Sequence, residues 1–211
     1  MKTFVVDADD FCTDYWRNGL NILFYWKAKY PNFKITLFTI PQKTSVGFLK
    51  LIIPHLDWIE LGVHGFSHET NFEVQHWNEK TTNDHLDYAE TFLVYSKVFK
   101  APGWQITYPQ PYNEYPDASK PVNDNPQLVY DVLKKRGYLV ADQHYNKDKR
   151  PEDLRTYCTC NPLQFHMHTW DMEQGEPNGL EQVEKRGVPW SSEDKFKFIS
   201  ELTEEELRCQ Y

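Results

Sequence analysis

The sequence is poor in cysteine, has no long apolar run, and holds fewer basic residues than acidic ones. The four cysteines, Cys12, Cys158, Cys160 and Cys209, are too few and too unevenly placed for a disulfide framework, so a reduced, cytoplasmic protein is expected. No stretch approaches the ~18 consecutive apolar residues that a membrane helix needs. The first apolar run, Phe4-Val5-Val6, stops at once at Asp7, and no signal peptide is expected. With 23 Lys and Arg against 31 Asp and Glu, the formal charge is −8. That balance argues against a surface that grips phosphate backbones, so neither a nucleic acid nor a membrane is an expected partner. Internal repeats and low-complexity segments are also lacking. What is present is ample apolar material: 40% of the 211 residues are hydrophobic and 16% aromatic. A chain of this length buries roughly 70% of its unfolded surface, which suits a single domain over residues 1–211.

Strand and helix patterns alternate along the chain. Phe4 to Ala8 reads as a short buried strand, and Asp14 to about Lys29 as a helix closed by Pro31. Phe33 to Ile40 is rich in β-branched and aromatic residues and reads as a strand. A helix is predicted over Ser45 to Ile53, a strand over Trp58 to Val63, a helix over Asn83 to Lys97 and a strand over Val98 to Ala101. Pro126 to Arg136 reads as a helix with Gly137 as its left-handed stop, Tyr138 to Ala141 and Leu163 to His168 as strands, and Ser191 to about Leu207 as a last helix. Residues 105–125, with four prolines and no periodicity, read as a long loop beside the site. Such alternation implies a largely parallel sheet, whose sites lie at the carboxyl ends of its strands.

Chemistry-bearing residues cluster at those ends. Asp7-Ala8-Asp9-Asp10 places three carboxylates in four residues, which repel unless a positive group sits among them. A divalent cation is the simplest partner, and an Asp-rich turn capping backbone amides is the alternative. In His64-Gly65-Phe66-Ser67-His68, two histidines at i and i+4 can reach one ion, and imidazole suits zinc and its neighbours. That spacing is only modestly specific alone and gains weight downstream of a strand-end Asp pair. Two histidines and one carboxylate leave coordination positions open, the catalytic rather than the structural pattern. Lys100-Ala101-Pro102-Gly103-Trp104 sets a turn after a strand, with Trp104 offering a flat apolar face or filling the core. In Phe165-His166-Met167-His168-Thr169-Trp170, His166 and His168 share one face of a strand, as proton-transfer groups or as half-buried strand histidines.

Together these runs resemble the polysaccharide deacetylase (NodB-homology, carbohydrate esterase family 4-like) superfamily, and within it a compact divergent member. The resemblance rests on Asp9-Asp10, on His64 with His68, on the Lys100–Trp104 turn and on the His166/His168 strand, and spans residues 4–170. It implies an α/β fold, a distorted (β/α) barrel with seven strands. It also implies that Asp10, His64 and His68 hold a metal, with Zn²⁺ expected ahead of Co²⁺ or Ni²⁺, and that Asp9 is the general base. A late histidine would protonate the leaving amine, and His168 is preferred over His166 because it lies nearer the strand end. Lys100, Pro102, Trp104, His166 and Trp170 are expected to line the substrate.

The chain departs from that pattern at Lys100, where the family usually has an arginine whose bidentate fork lysine lacks. The family's fourth motif has no clear counterpart, Asp142 being the best candidate. The expected reaction is removal of an acetyl group from an N-acetylated sugar or oligosaccharide. The alternatives are hydrolysis of another non-peptide amide, as in a cyclic amide or a modified nucleotide, and sugar binding without catalysis. Cys158-Thr159-Cys160 reads as strand, His55, His76, His85 and His144 as surface or loop residues, and the Glu-rich C-terminal segment as a solvated helix face. The oligomeric state is not legible.

Overall fold

The computed structural model describes every residue except 14–18, 71, 93, 105, 107–126, 143–153, 155, 159–163, 170–178 and 208–211. Its elements follow the alternation of the sequence: β1 (Thr3–Asp9), α1 (Gly19–Lys29), β2 (Ile35–Thr39), α2 (Val46–Ile52), β3 (Ile59–His64), α3 (Glu79–Glu90), β4 (Tyr95–Lys100), α4 (Gln127–Lys135), β5 (Leu139–Asp142), β6 (Thr156–Cys158), β7 (Gln164–His168), α5 (Gly179–Arg186), β8 (Lys195–Lys197) and α6 (Glu204–Leu207). The strands run β6-β5-β4-β3-β2-β1-β7, with every pairing parallel, and β8 pairs with the first half of β1. This is an α/β fold with a curled parallel sheet. Its eight strands form a half-barrel, and among the described residues the path from β6 to β7 does not close on itself. Among the described residues no helix is long and apolar enough to cross a membrane.

Period-2 alternation divides the sheet into two faces. Val6, Ala8, Ile35, Leu37, Ile59 and Leu61 pack outward against α1 and α2 with Trp26, Phe33 and Trp190 in one core. Val63, Phe99 and Val140 face a second core with α3 and α4. The opposite, inner face carries Val5, Phe38, Val98, Leu139 and Ala141, and is closed from below by Ile199, Leu202 and Leu207. The buried polar groups of that plug are paired: Thr36 donates to Glu60 across 2.7 Å and accepts from the Ile199 amide. Register alone then stacks Asp9 beside His168, Asp7 beside His166, and His64 beside Lys100 on the inner face at the carboxyl end.

Several elements differ from the sequence reading. The helix expected over residues 83–97 starts earlier and ends at Glu90: Asn78 and Thr81 form a reciprocal capping box, and Tyr95–Lys100 is taken into the sheet against β3. The last helix expected over 191–207 is mostly not helical. Asp194 accepts from the Ser191 amide and hydroxyl and from the Lys2 amide, so a turn forms there and Lys195–Lys197 joins β1 as β8. Helical structure there is confined to a 3-10 turn at Ile199–Glu201 and to Glu204–Leu207, and α5 (Gly179–Arg186) lies where no helix is expected. The loop expected over 105–125 lies outside the described residues save Ile106, as do Asp14, His144, Cys160 and Trp170.

Candidate active site

Strand β1 ends at Asp9 and is followed directly by Asp10, and the two carboxylates point to different partners. Asp10 Oδ1 lies 3.4 Å from His64 Nε2 and 3.2 Å from His68 Nε2. Asp9 Oδ1 accepts from Lys100 Nζ across 2.6 Å, while its Oδ2 lies 3.9 Å from His64 Nε2 and 3.7 Å from His166 Nε2. Two Asp/His/His groups result, Asp10-His64-His68 and Asp9-His166-His168, each with its ligand atoms within 4.8 Å of one another.

The chemistry of the first group fits a transition-metal ion. Ligand bonds of about 2.0–2.1 Å in a tetrahedral shell leave neighbouring ligand atoms about 3.3–3.4 Å apart, close to the separations seen around Asp10. His64 Nδ1 lies 3.0 Å from the Lys100 carbonyl oxygen, so its N–H donates there and its Nε2 lone pair is left to face Asp10. Asp10 (φ 64°) and His68 (φ 49°) both adopt the left-handed region as non-glycine residues. Such strain costs on the order of 1–3 kcal/mol per residue and gathers at functional sites.

The electrostatics lean the same way. Burial pushes Asp10 up, but hydrogen bonds and charge from His64 and His68 outweigh it and hold the carboxyl well below the usual range. Burial pushes His64 down, yet Asp9 and then Asp10 raise it above its ordinary value. The pocket therefore favours positive charge at this point, which a metal ion could supply in place of ring protons.

Two residues of this site went unassigned in the sequence reading. Asp7 is wholly buried: its Oδ1 accepts from Gln164 (2.7 Å), and its Oδ2 accepts from Lys100 (3.0 Å) and from His166 Nδ1 (2.8 Å). Burial pushes Asp7 up, but Lys100 and then His166 hold it well below the carboxylate range. Its place in the acidic run was the available signal. Glu73 is the second. Its Oε1 accepts from the Phe66 amide (2.7 Å), and its Oε2 from the Ser67 amide and hydroxyl (3.1 and 2.7 Å) and the His68 amide (3.0 Å). One carboxylate thus shapes the turn that carries His68, and nothing in local spacing announces it.

The other expected site residues are placed as follows. Asp9, Asp10, His64, His68, Lys100, His166 and His168 come together at one end of the sheet. Lys100 is wholly buried and stacks 3.6 Å from the centre of the Trp104 ring and 4.9 Å from that of Phe38. Trp104 also meets His166 edge-on at 5.6 Å, so part of its surface is committed to the site's cation and imidazole. Pro102 is buried against Gly65. Asp142 alternates away from Ala141, which shares the inner face, and accepts from Tyr130 on α4, so it does not supply the missing fourth motif at this site.

No family model matches the sequence, and no curated protein is similar to it. Among solved structures, the chain is similar to a family 4 carbohydrate esterase from Streptomyces lividans in complex with acetate, at 14% identity over 80% of each chain and a TM-score of 0.49.

Proposed function

We propose that the chain is a metal-dependent hydrolase that removes the acetyl group from an N-acetylated sugar. One observation carries the reading: a carboxylate tethered by a buried lysine stands beside an Asp/His/His group that could hold a metal. A divalent ion held by Asp10, His64 and His68, zinc ahead of cobalt or nickel, would polarise the acetyl carbonyl and lower the pKa of water.

The protein's own groups then divide the proton work. Asp9 has Oδ1 committed to Lys100, so Oδ2 is the atom that takes a proton from the attacking water. Lys100 fixes that carboxylate in direction. As the carbonyl carbon gains its new C–O bond, the C–N bond breaks and the amine must leave protonated. His166 is the better donor of the two late histidines. Its Nδ1 is anchored on Asp7, which fixes the ring, and its Nε2 faces Asp9. His168, preferred from sequence order alone, is exposed, and partial desolvation of its ring holds it below its ordinary pKa against the pull of Asp9. Trp104 and His166, both partly exposed, would form the wall against which the acetamido group rests, with the buried Lys100 behind Trp104.

The test is substitution read against metal content. Asp9→Asn keeps the metal and loses turnover by about 10²-fold or more, whereas His64→Ala loses both. Wild-type turnover in Asp9→Asn removes the base assignment. Sugar binding without acetate release, at full metal occupancy, removes the hydrolase reading in favour of a binding protein. Release from non-sugar amides alone moves the substrate class to those amides.

A further inference from the structure

The second group, Asp9-His166-His168, is not needed as a metal site by the reaction above, yet it has the features of one. We infer that it binds a second divalent transition-metal ion, more weakly than the first group does, and that filling it shuts the enzyme off.

Three observations support binding. The donor atoms of Asp9, His166 and His168 lie within 4.8 Å of one another. His166 Nε2 is buried and has no hydrogen-bond partner among the described residues, which leaves a desolvated lone pair or N–H facing Asp9 Oδ2 at 3.7 Å. His166 Nδ1 is tied to the Asp7 carboxylate at 2.8 Å, and Asp7 is itself saturated by Gln164 and Lys100. A carboxylate behind an imidazole whose other nitrogen is open is the arrangement that orients histidine toward a metal and raises its basicity.

The ranking follows from Lys100. Its ammonium sits 2.6 Å from Asp9 Oδ1 and 3.2 Å from His166 Nδ1, so a cation entering this group meets a fixed positive charge and finds one Asp9 oxygen already engaged. In the first group the Lys100 contact is a backbone carbonyl accepting from His64, which helps rather than opposes a cation. The second site should therefore fill only after the first, at a concentration at least about tenfold higher, comparable to the loss that a disturbed outer-shell partner causes. Because its donors are the proposed base and the proposed acid, its occupancy removes both from proton transfer. This last consequence rests on the proposed reaction, while the binding itself does not.

The experiment is equilibrium dialysis of the metal-free protein against zinc, and against cobalt with its visible spectrum recorded. Wild type, Asp10→Asn, His166→Ala and His168→Ala are compared, each first checked for a native circular dichroism spectrum. Expected are two successive equivalents in wild type, loss of the second in His166→Ala and His168→Ala with the first retained, and survival of the weaker one alone in Asp10→Asn. The exposed His168 keeps the test open if the His166 variant fails to fold. Saturation at one equivalent overturns the inference, and so does a second equivalent that persists in both histidine variants. A tight site lost in the late-histidine variants but kept in Asp10→Asn overturns the ranking. Acetate release that rises with the first equivalent and falls with the second supports the shut-off, and release unaffected by the second overturns it. Absence of acetate release at every metal concentration counts against the proposed reaction and leaves the binding result standing.

Discussion

Lys100 donates to Asp9 across 2.6 Å in a place where neither side chain reaches bulk solvent. The same ammonium also binds Asp7 at 3.0 Å, so one cation answers two buried carboxylates. Removing it strands both. Lys100→Met, close in volume and uncharged, should destabilise the fold by roughly 3–5 kcal/mol, the cost of an uncompensated buried charge. It should also lose turnover, because the hydrogen bond that directs the Asp9 carboxylate is gone. Chemical denaturation of the metal-free protein checks the first effect. A loss under about 1 kcal/mol would mean that water or His166 replaces the lysine.

Glu73 touches no expected ligand side chain, yet it should govern metal affinity. It accepts from three consecutive amides, those of Phe66, Ser67 and His68, and so sets the direction in which His68 leaves the backbone. Glu73→Gln turns an NH₂ group toward those donors and should weaken metal binding by about 10–100-fold, the range for outer-shell partners. The cobalt spectrum should change with it, while Glu73→Asp recovers part of the affinity. Unchanged affinity in a competition titration with a chromophoric chelator would show that the turn holds without its clamp.

Much of this was legible in the residues themselves. Alternation predicted the parallel sheet, and the Asp9-Asp10, His64/His68 and Lys100 runs meet because each ends a strand of that sheet. Three things were not legible. Lys195–Lys197 becomes a strand only because β1 offers it an open edge, a tertiary fact that outweighs local propensity. The choice between His166 and His168 depends on which ring meets Asp7, and both share one face. Glu73 acts from a short 3-10 turn through backbone amides, which leave no mark on side-chain spacing.

Gly65 and Gly137 both have positive φ, 58° and 76°, but only one is confined. A Cβ at Gly65 would lie 2.0 Å from Glu73 Oε1 and 2.7 Å from Pro102 Cδ, whereas nothing lies within 4 Å of one at Gly137. Gly137→Ala should therefore cost only about 1 kcal/mol for its backbone conformation. Gly65→Ala adds overpacking and should cost about 2–4 kcal/mol. It should also push Glu73 off the turn and weaken metal binding along with it. Urea unfolding of the two variants side by side separates the contributions, and equal losses would mean that Glu73 and Pro102 yield freely.

Away from the site, Glu90 joins α3 to the end of α4. It accepts from Arg136 Nε at 3.1 Å and from Tyr138 at 3.1 Å, and Lys97 Nζ lies at 2.6 Å. Burial pushes its carboxyl up, but the bonds from Arg136, Lys97 and Tyr138 win and bring it from 4.5 down to about 2. A depressed carboxyl binds fewer protons folded than unfolded, so its stabilisation is complete above the ordinary value of 4.5 and fades as pH falls toward about 2. Much of the side chain is solvated, so the whole contribution should stay within about 1 kcal/mol. Wild type should accordingly exceed Glu90→Gln in stability by that amount near neutral pH, and the gap should close across this acid window. Urea titrations of both proteins at successive pH values measure it, and a gap that stays constant through the window would show that the pairing survives protonation and owes little to charge.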